Sequence, residues 1–474
     1  MDKTFHIITF GCQMNVGDSD WLARALVLRG WRQVPEAEAW LFVVNTCSVR
    51  DKPEQKVYSE LGRLAAYQRG KPGLTAAVGG CVAQQIGRGF FERFPFVRLV
   101  FGSDGIAAAP DALERLADDP KERIALLDFL AAYPEREDVL TPLAPALAPA
   151  PAFDADLGEP ESGPSAQRGQ AFVNIMQGCD NFCAYCIVPH TRGRQKSRSP
   201  QAVLAECRQR VEQGAREITL LGQNVNSYGL DAGGVGVGFA DLLRQVAAIP
   251  GLLRLRFTTS HPKDIDPEVI RAFGELPNLC PALHLPLQAG SDAVLKRMGR
   301  KYDSARYLDT VAALRAARPG IALTTDLIVG FPGETEEDFL QTLQMMERVR
   351  FESSFSFRYS DRPGVAAVRM TPKIDEAVSQ ARLLRLQSLQ NDLTKESLKS
   401  QEGAEAIVLL EAKSRKQDQG PTFWRGRDEG GRVVNLRLGE AEFSPRDFAG
   451  QLVRARILAA KNHSLVGEKV GQPW

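Results

Sequence analysis

Short apolar runs alternate with helix-length amphipathic stretches through the first hundred residues of the chain. The runs FHIITF (Phe5 to Phe10), LFVVN (Leu41 to Asn45) and LTAAVGG (Leu74 to Gly80) have the length and apolar continuity of buried strands. Asp18 to Gly30 and Pro53 to Gln68 read as helices, with Gly30 as a stop, and a further helix follows Gly80. Strands and helices alternating at this spacing predict right-handed crossovers and a doubly wound, parallel α/β sheet. The pattern stops from Val139 to Gln170, where the prolines of TPLAPALAPAPAFDADLGEPESGPSAQRG exclude a regular helix or strand and predict a linker or exposed insertion.

Alternation resumes with FVNIM, a helix after Pro200, EITLL, a helix over Asp241 to Ala248, LRFTTS, a helix after Pro267, and LHLPL. It ends with a helix over Ser304 to Ala317, IALTTDLIVG, a helix over Glu336 to Val349, and SSFSFRYS. About six strand-helix units predict a partial or full parallel (β/α) barrel with its active site at the carboxyl ends of the strands. Residues 374 to 399 form one expected connector helix, with Ile374, Val378, Ala381, Leu389 and Leu393 roughly on one side. The runs AIVLLEAK, RVVNLRL and QLVRARILAA predict a small antiparallel β-barrel. The implied units are residues 1–135, a Pro/Ala-rich linker at 136–170, a barrel domain at 171–395 and a terminal barrel at 396–474.

A length of 474 residues fits two or three domains, and 44% hydrophobic with 25% charged residues excludes wholesale disorder. No apolar run approaches the roughly 20 residues needed to cross a bilayer, and MDKTFHIITFGC lacks the basic segment of a secretory leader, so a cytoplasmic protein is expected. A net charge of +1 supplies no global field for nucleic acid, so RNA contacts would have to come from local patches. Eight cysteines are too few for a disulfide scaffold in so long a chain and read as metal ligands, nucleophiles or core residues.

GCDNFCAYC is the most specific of these features. Cys179, Cys183 and Cys186 follow the strand FVNIM with C-x3-C-x2-C spacing, and three thiolates on one loop can hold three irons of a [4Fe-4S] cluster while the fourth iron stays open to a ligand. The alternative is structural zinc, for which His190 is the nearby fourth ligand. Cys12, Cys47 and Cys81 each follow a predicted strand, in IITF-GC, FVVNT-C and AAVGG-C. Ligands of open parallel sheets bind at strand carboxyl ends, so these three are expected to converge as a second three-thiolate site, with Gly11 and Gly80 allowing close backbone approach. Cys207 and Cys280 have no companion cysteine and read as core.

C-x3-C-x2-C after the first strand of such an alternation resembles the radical S-adenosylmethionine (SAM) superfamily. There the open iron chelates the amino and carboxylate groups of SAM, and electron transfer cleaves the sulfonium to a 5′-deoxyadenosyl radical. A cysteine-bearing α/β domain, a radical SAM partial (β/α) barrel and a small terminal barrel together resemble the methylthiotransferases, over nearly the whole chain apart from the linker. TFGCQMN, NTCSVR, GCDNFCAYCIVPHTRGR, LGQNVNSYG, RFTTSHP, HLPLQAGSD and DLIVGFPGET resemble the MiaB-type branch, which modifies isopentenylated adenosine in tRNA. Gln13, Met14 and Asn15 follow Cys12, where the ribosomal-protein branch usually shows Pro-Lys-Asn and the threonylcarbamoyl-adenosine branch Lys-Val-Asn.

The resemblance implies that Cys179, Cys183 and Cys186 hold the SAM cluster and that Cys12, Cys47 and Cys81 hold an auxiliary cluster, giving two [4Fe-4S] clusters. It places Tyr185 beside the SAM adenine and draws the SAM pocket from Gly222, Gln223 and Asn224, with His261, Gln288 and Asp326 at later strand ends. Gly330 and Gly333 would let the backbone approach SAM, or simply form a turn before a helix. The terminal barrel resembles a TRAM domain, in which Lys413, Arg415, Lys416, Arg425 and Arg427 flank Phe423 and Trp424 as cations for phosphates beside rings for bases; the alternative is a solvated face over two core aromatics. Arg192, Arg194, Lys196 and Arg198 form a second basic run, placed to guide the anticodon stem-loop.

The adenine C2–H is neither acidic nor a leaving group, so acid-base catalysis alone cannot replace it with sulfur. The family chemistry implies two SAM molecules per product: one methylates a sulfur on the auxiliary cluster, and the other supplies the radical that joins the methylthio group to C2 of N6-isopentenyladenosine at tRNA position 37, next to the anticodon. The expected partners are tRNA and an electron donor such as flavodoxin or ferredoxin, with no membrane, and the chain is expected to act as a monomer. Competing readings are a methylthiotransferase acting on threonylcarbamoyladenosine tRNA or on a ribosomal protein, and an iron-sulfur redox sensor that binds RNA without turnover.

Overall fold

The computed structural model describes residues 3–48, 53–71, 73–134, 136, 169–414, 423–437 and 448–471. The N-terminal unit runs β1 (Thr4–Thr9), α1 (Gln13–Leu28), β2 (Arg32–Gln33), β3 (Leu41–Thr46), α2 (Pro53–Gln68), β4 (Thr75–Gly80), α3 (Cys81–Ile86), α4 (Gly89–Arg93), β5 (Val97–Phe101), α5 (Ala109–Asp118) and β6 (Ile124–Leu126). Its strands form one parallel sheet in the order β2-β1-β3-β4-β5-β6. Successive side chains of a strand point to opposite faces, so Leu41 and Val43 join a core with Trp21, Leu22 and Leu113, while Phe42 and Val44 join another with Leu61, Leu64 and Phe90. A strand covered on both faces reads as an unbroken apolar run, which is why β3 was legible in the sequence. The first helix starts at Gln13 rather than Asp18, directly behind Cys12, because Met14 and Asn15 are buried.

The second unit contains β7 (Gln170–Asn174), β8 (Met176–Gln177), α6 (Val188–Arg192), β9 (Lys196–Ser197), α7 (Pro200–Glu212), β10 (Glu217–Leu221), α8 (Phe239–Ala247), β11 (Arg254–Thr258), α9 (Pro267–Glu275) and β12 (Ala282–His284). It continues with α10 (Asp292–Arg297), α11 (Ser304–Ala317), β13 (Ala322–Val329), α12 (Glu336–Val349), β14 (Ser353–Arg358) and α13 (Glu376–Lys399). Parallel sheets β11-β10-β7 and β12-β13-β14 are joined by a parallel bridge between Leu255 and Leu279, giving a six-stranded partial barrel around one core. The predicted run FVNIM divides: β7 enters the barrel, and β8 pairs antiparallel with β9 at the base of the cysteine loop. On α13 the expected apolar face is corrected. Val378 is exposed, and the buried stripe is Ser379, Arg382, Leu386, Gln390 and Leu393. Polar members of that stripe are satisfied by the barrel, Arg382 by Glu334 at 2.8 Å and Gln390 by the Phe351 carbonyl at 2.9 Å, so hydrophobicity alone misplaced the face.

The terminal unit is a closed barrel of β15 (Glu405–Lys413), β16 (Phe423–Arg427), β17 (Val433–Arg437), β18 (Leu452–Ala460) and β19 (Leu465–Lys469). Its strand order is β15-β16-β17-β19-β18, antiparallel throughout except for β17 with β19. It docks on the amino-terminal rim of the larger barrel, where Arg254 bonds the Arg427 carbonyl at 3.1 Å, Arg256 the Asp428 carbonyl at 2.8 Å, and Arg432 grips Glu352 at 3.0 and 2.9 Å.

The first two units also meet through a buried polar interface. Lys196 pairs with Asp104, which accepts from Gln177 and from the Leu130 amide at 2.7 Å. Arg136 bonds Asp18 at 2.7 Å, and Ser103 bonds the Thr191 carbonyl at 3.2 Å. Most of 136–170, the expected linker or insertion, lies outside the described residues. Among the described residues, no helix is long and apolar enough to cross a membrane.

Candidate active site between two cysteine-bearing sheet ends

The C-x3-C-x2-C loop leaves β8 at Gly178, whose φ is +80°; a side chain there would strike the Arg194 carbonyl. The Gly178 amide donates to Gln223 Oε1 at 2.6 Å, the Cys179 amide to the Gly193 carbonyl at 3.3 Å, and the Cys186 amide to the Cys183 carbonyl at 3.0 Å. Cys183 is buried, with Arg300 at 3.5 Å and His261 Nε2 at 3.8 Å from its sulfur. His261 Nδ1 accepts from the Lys263 amide, so the ring proton sits on Nε2, facing that sulfur. Burial, reinforced by Arg300, Lys263 and Lys301, pushes the His261 pKa down to about 2, so the ring is neutral at pH 7. Burial likewise pushes the Cys179 thiol up to about 11 and Cys186 up to about 12, with Cys183 raising both further.

These three thiols lie near enough to perturb one another, yet among the described residues no three His, Cys, Asp or Glu side chains are grouped as the ligands of a single metal ion would be. A tetrahedral zinc site needs a fourth protein ligand, whereas three thiolates suffice for three irons of a cubane. His190, the proposed fourth zinc ligand, is exposed. Tyr185 lies on the same loop and its hydroxyl meets Arg300 at 3.2 Å.

The strand ends beside the loop carry buried polar atoms that lack partners. Asn224 and Asn181 both donate to Asp264, at 2.7 and 2.9 Å, but Asn224 Oδ1, both amide atoms of Asn226, and Ser260 Oγ are unpaired. Each buried unpaired group costs about 1–3 kcal/mol, so a polar ligand that reaches them regains that energy. Asn226 and Ser260 were missed as individual residues, although LGQNVNSYG and RFTTSHP contain them. Gln288 is buried with φ +72°, and its amide donates to the Asp326 carbonyl at 2.8 Å; the Asp326 carboxylate faces His284 at 3.4 Å. A Cβ on Gly222 would strike Met176, on Gly330 it would strike Ser379, and on Gly333 Arg297, so packing within the chain accounts for these three glycines.

At the facing sheet, Cys12 caps α1, Cys47 follows β3 and Cys81 opens α3 behind β4. Since β1, β3 and β4 are adjacent, the three cysteines share one end of the sheet. A side chain on Gly11 would strike Cys47, and one on Gly80 the Thr46 carbonyl, so the glycines permit the close approach of these turns. The Cys47 thiol, opposed by burial and aided by Arg192, brings the Cys12 pKa down to about 6. Arg192 is buried and also reaches Cys81. Gln223 bridges the units, accepting from Gly178 and lying 2.6 Å from Met14 Sδ.

Two expectations for RNA contacts are corrected. Of the basic run, Arg192 and Lys196 are buried and Arg198 pairs with Glu206; only Arg194 is well exposed, pairing with Asp180 at 3.0 Å. Arg192 and Lys196 compensate charge inside the interface instead of presenting it to solvent. On the terminal barrel Trp424 is core, edge-on to Phe448 at 5.5 Å, and Arg427 bonds Glu411 at 3.0 Å. Lys413 is exposed and Arg425 half-buried, whereas Arg415 and Lys416 lie outside the described residues. The exposed cations of that barrel include Arg454 and Arg456 on β18. Cys207 and Cys280 are buried core residues, as expected.

The Radical SAM superfamily model matches residues 173–346, and the model described as Uncharacterized protein family UPF0004 matches residues 4–102. Among solved structures, the radical S-adenosylmethionine methyltransferase TsrM from Kitasatospora setae, with cobalamin and a [4Fe-4S] cluster bound, shares the fold with a TM-score of 0.56 at 14% identity, over 77% of this chain and 74% of that one. Fold and site thus define a radical SAM enzyme, a class whose cofactors are a [4Fe-4S] cluster and SAM.

Curated relatives narrow the class. The chain is 57% identical over 473 residues to the tRNA-2-methylthio-N(6)-dimethylallyladenosine synthase of Nitratidesulfovibrio vulgaris (strain Hildenborough), covering 100% of both, and 50% identical to the synthase of that name in Lawsonia intracellularis, covering 99% of each. It belongs to the tRNA-2-methylthio-N(6)-dimethylallyladenosine synthase family.

Proposed function

We propose that the protein adds a methylthio group to C2 of N6-isopentenyladenosine in tRNA, next to the anticodon, by radical SAM chemistry. The observation that carries this reading is the facing of two three-cysteine sheet ends across one buried interface, with Gln223 and Arg192 both touching Met14. Replacing an unactivated C–H with sulfur needs a radical source and a sulfur source near one substrate atom, and the two cysteine sets supply one place for each. Cys179, Cys183 and Cys186 are the ligands proposed for the SAM cluster, and Cys12, Cys47 and Cys81 those for a second, auxiliary [4Fe-4S] cluster. When bound, these groups supply the electron that cleaves SAM to a 5′-deoxyadenosyl radical and an open iron for sulfur.

The chain's own residues bind and orient. Asn224, Asn226 and Ser260 offer SAM their unpaired amide and hydroxyl atoms, while Tyr185, held by Arg300, borders the adenine. Neutral His261 donates toward the Cys183 sulfur and adds no charge to the pocket. Gln288 and Asp326 complete the strand-end rim.

A cleft of about 660 Å³ lies between α2, through Glu54 and Gln55, and the ends of β13 and β14, through Gly330, Arg358, Arg362 and Lys373. Its lining is charge-balanced, with Arg358 on Glu376 and Lys373 on Asp361, so it offers the anticodon loop an opening that draws on both units rather than a cationic patch. The terminal barrel, on the opposite rim, would hold a more distant stretch of the RNA through Lys413, Arg454 and Arg456. This reading calls for a donor such as flavodoxin or ferredoxin and a cytoplasmic setting, and one chain contains every residue it uses, so a monomer suffices. Anaerobic reconstitution with SAM, reductant and isopentenylated anticodon stem-loop RNA, followed by nucleoside analysis, tests it; 5′-deoxyadenosine without a methylthiolated nucleoside would count against it.

A further inference from the structure

We propose that Arg192, carried by the radical SAM unit, is the charge-compensating residue of the auxiliary iron-sulfur site in the other unit, so that this site is completed only when the two units are docked. The inference rests on the reading of Cys12, Cys47 and Cys81 as cluster ligands and adds to it a positioning residue outside that domain.

Arg192 ends α6, six residues past Cys186, and is 4% exposed. A guanidinium taken so far out of water must be paired to stay charged at tolerable cost. Its hydrogen-bond partners in the chain are weak: Asn15 Oδ1 at 3.4 Å and the Met14 thioether at 3.9 Å. Asp18, the carboxylate within its electrostatic reach, is already held by Arg136 at 2.7 Å. What remains are the sulfurs of Cys81 and Cys12, its strongest electrostatic neighbours: α6, which Arg192 ends, packs on α3, which Cys81 opens. Asn15 joins the same arrangement, accepting from Cys12 Sγ at 3.2 Å while its amide holds Asn45 and the Thr46 carbonyl at 2.9 Å each. A buried cation whose strongest neighbours are thiols is matched by thiolates and the anionic core they would carry.

A positive charge against an iron-sulfur cluster favours its more negative, reduced form and therefore raises its reduction potential. Arg192 would act on the auxiliary cluster through charge and hydrogen bonding to its sulfurs, and would couple that cluster mechanically to the loop holding Cys179, Cys183 and Cys186.

The test is a redox titration monitored by electron paramagnetic resonance, with iron counting, on reconstituted wild-type, Arg192→Gln and Arg192→Lys full-length protein. The expected result is an auxiliary midpoint shifted to more negative potential in the glutamine variant and back toward wild type in the lysine variant, with the SAM cluster unmoved. Loss of auxiliary iron in the glutamine variant alone also supports the proposal. A wild-type midpoint in the glutamine variant overturns it, and so does equal loss of auxiliary iron in both variants, which would indicate packing rather than charge. About four irons per wild-type chain, rather than about eight, would remove the auxiliary-cluster reading and the proposal with it.

Discussion

Replacing Lys196 with methionine strips one partner from an ion pair whose side chains are only 3% and 1% exposed. Asp104 then keeps two N–H donors, the Leu130 amide and Gln177, but loses its counter-charge. Breaking such a buried pair costs about 3–5 kcal/mol, because the remaining carboxylate is stranded out of water. An exposed pair such as Arg115 with Glu122, at 60% and 30% exposure, contributes about 0–1 kcal/mol and serves as the control. A chain of several units does not unfold in one step, so the assay is native-state hydrogen exchange of peptides covering β8 and β9, which report opening of the interface. Lys196→Met is expected to speed their exchange by roughly two to four decades, at about 1.4 kcal/mol per decade. The double variant Lys196→Met with Asp104→Asn should recover much of the loss, since no buried charge remains. An effect of Lys196→Met no larger than that of Arg115→Met, or a double variant no better than the single one, would refute the reasoning.

Three further outcomes are expected. Cys183→Ala abolishes formation of 5′-deoxyadenosine while the N-terminal site retains its iron, because the two cysteine sets sit on different sheets; persistent 5′-deoxyadenosine would disprove the ligand assignment. Asn226→Ala weakens SAM binding by about 1–3 kcal/mol, the worth of a buried polar group that gains a partner, and anaerobic equilibrium dialysis showing unchanged affinity would remove Asn226 from the pocket. Trp424→Ala destabilises the terminal barrel by about 3–5 kcal/mol, read as faster native-state hydrogen exchange of β16 and β17, whereas replacing both Arg454 and Arg456 with glutamine leaves that exchange nearly unchanged and lowers the salt slope of tRNA binding by about two; equal slopes would take β18 out of the RNA surface.

The terminal barrel also alters what truncation near residue 396 would report. Glu352 of the larger barrel is held by Arg432, and Arg254 and Arg256, which also share Glu217, donate to carbonyls beyond that point, so cutting there strips Glu352 of its counter-charge and both arginines of hydrogen bonds as well as removing cations. Surface substitutions on β18 separate RNA affinity from stability where the truncation cannot.

What the sequence determined by itself lay in local spacing and unbroken apolar runs. C-x3-C-x2-C is confined to one loop, and β3, β4 and β13 carry continuous or alternating apolar residues that a buried sheet requires, so the cysteine loop and both parallel architectures were legible. The connector helix was legible in extent but not in orientation, because its buried stripe holds Arg382 and Gln390, whose partners are distant in the chain. The same reason governs the basic run: Arg192, Lys196 and Arg198 look alike in sequence, and only the approach of the N-terminal sheet makes the first two buried counter-ions. Likewise, that Asn226 is left unpaired, that Trp424 faces a core, and that two cysteine sets confront each other depend on which surfaces meet. Hydrophobic pattern and short-range spacing record what a segment forms; charge pairing and unsatisfied polar atoms are properties of two segments brought together, and they arise only with the tertiary fold.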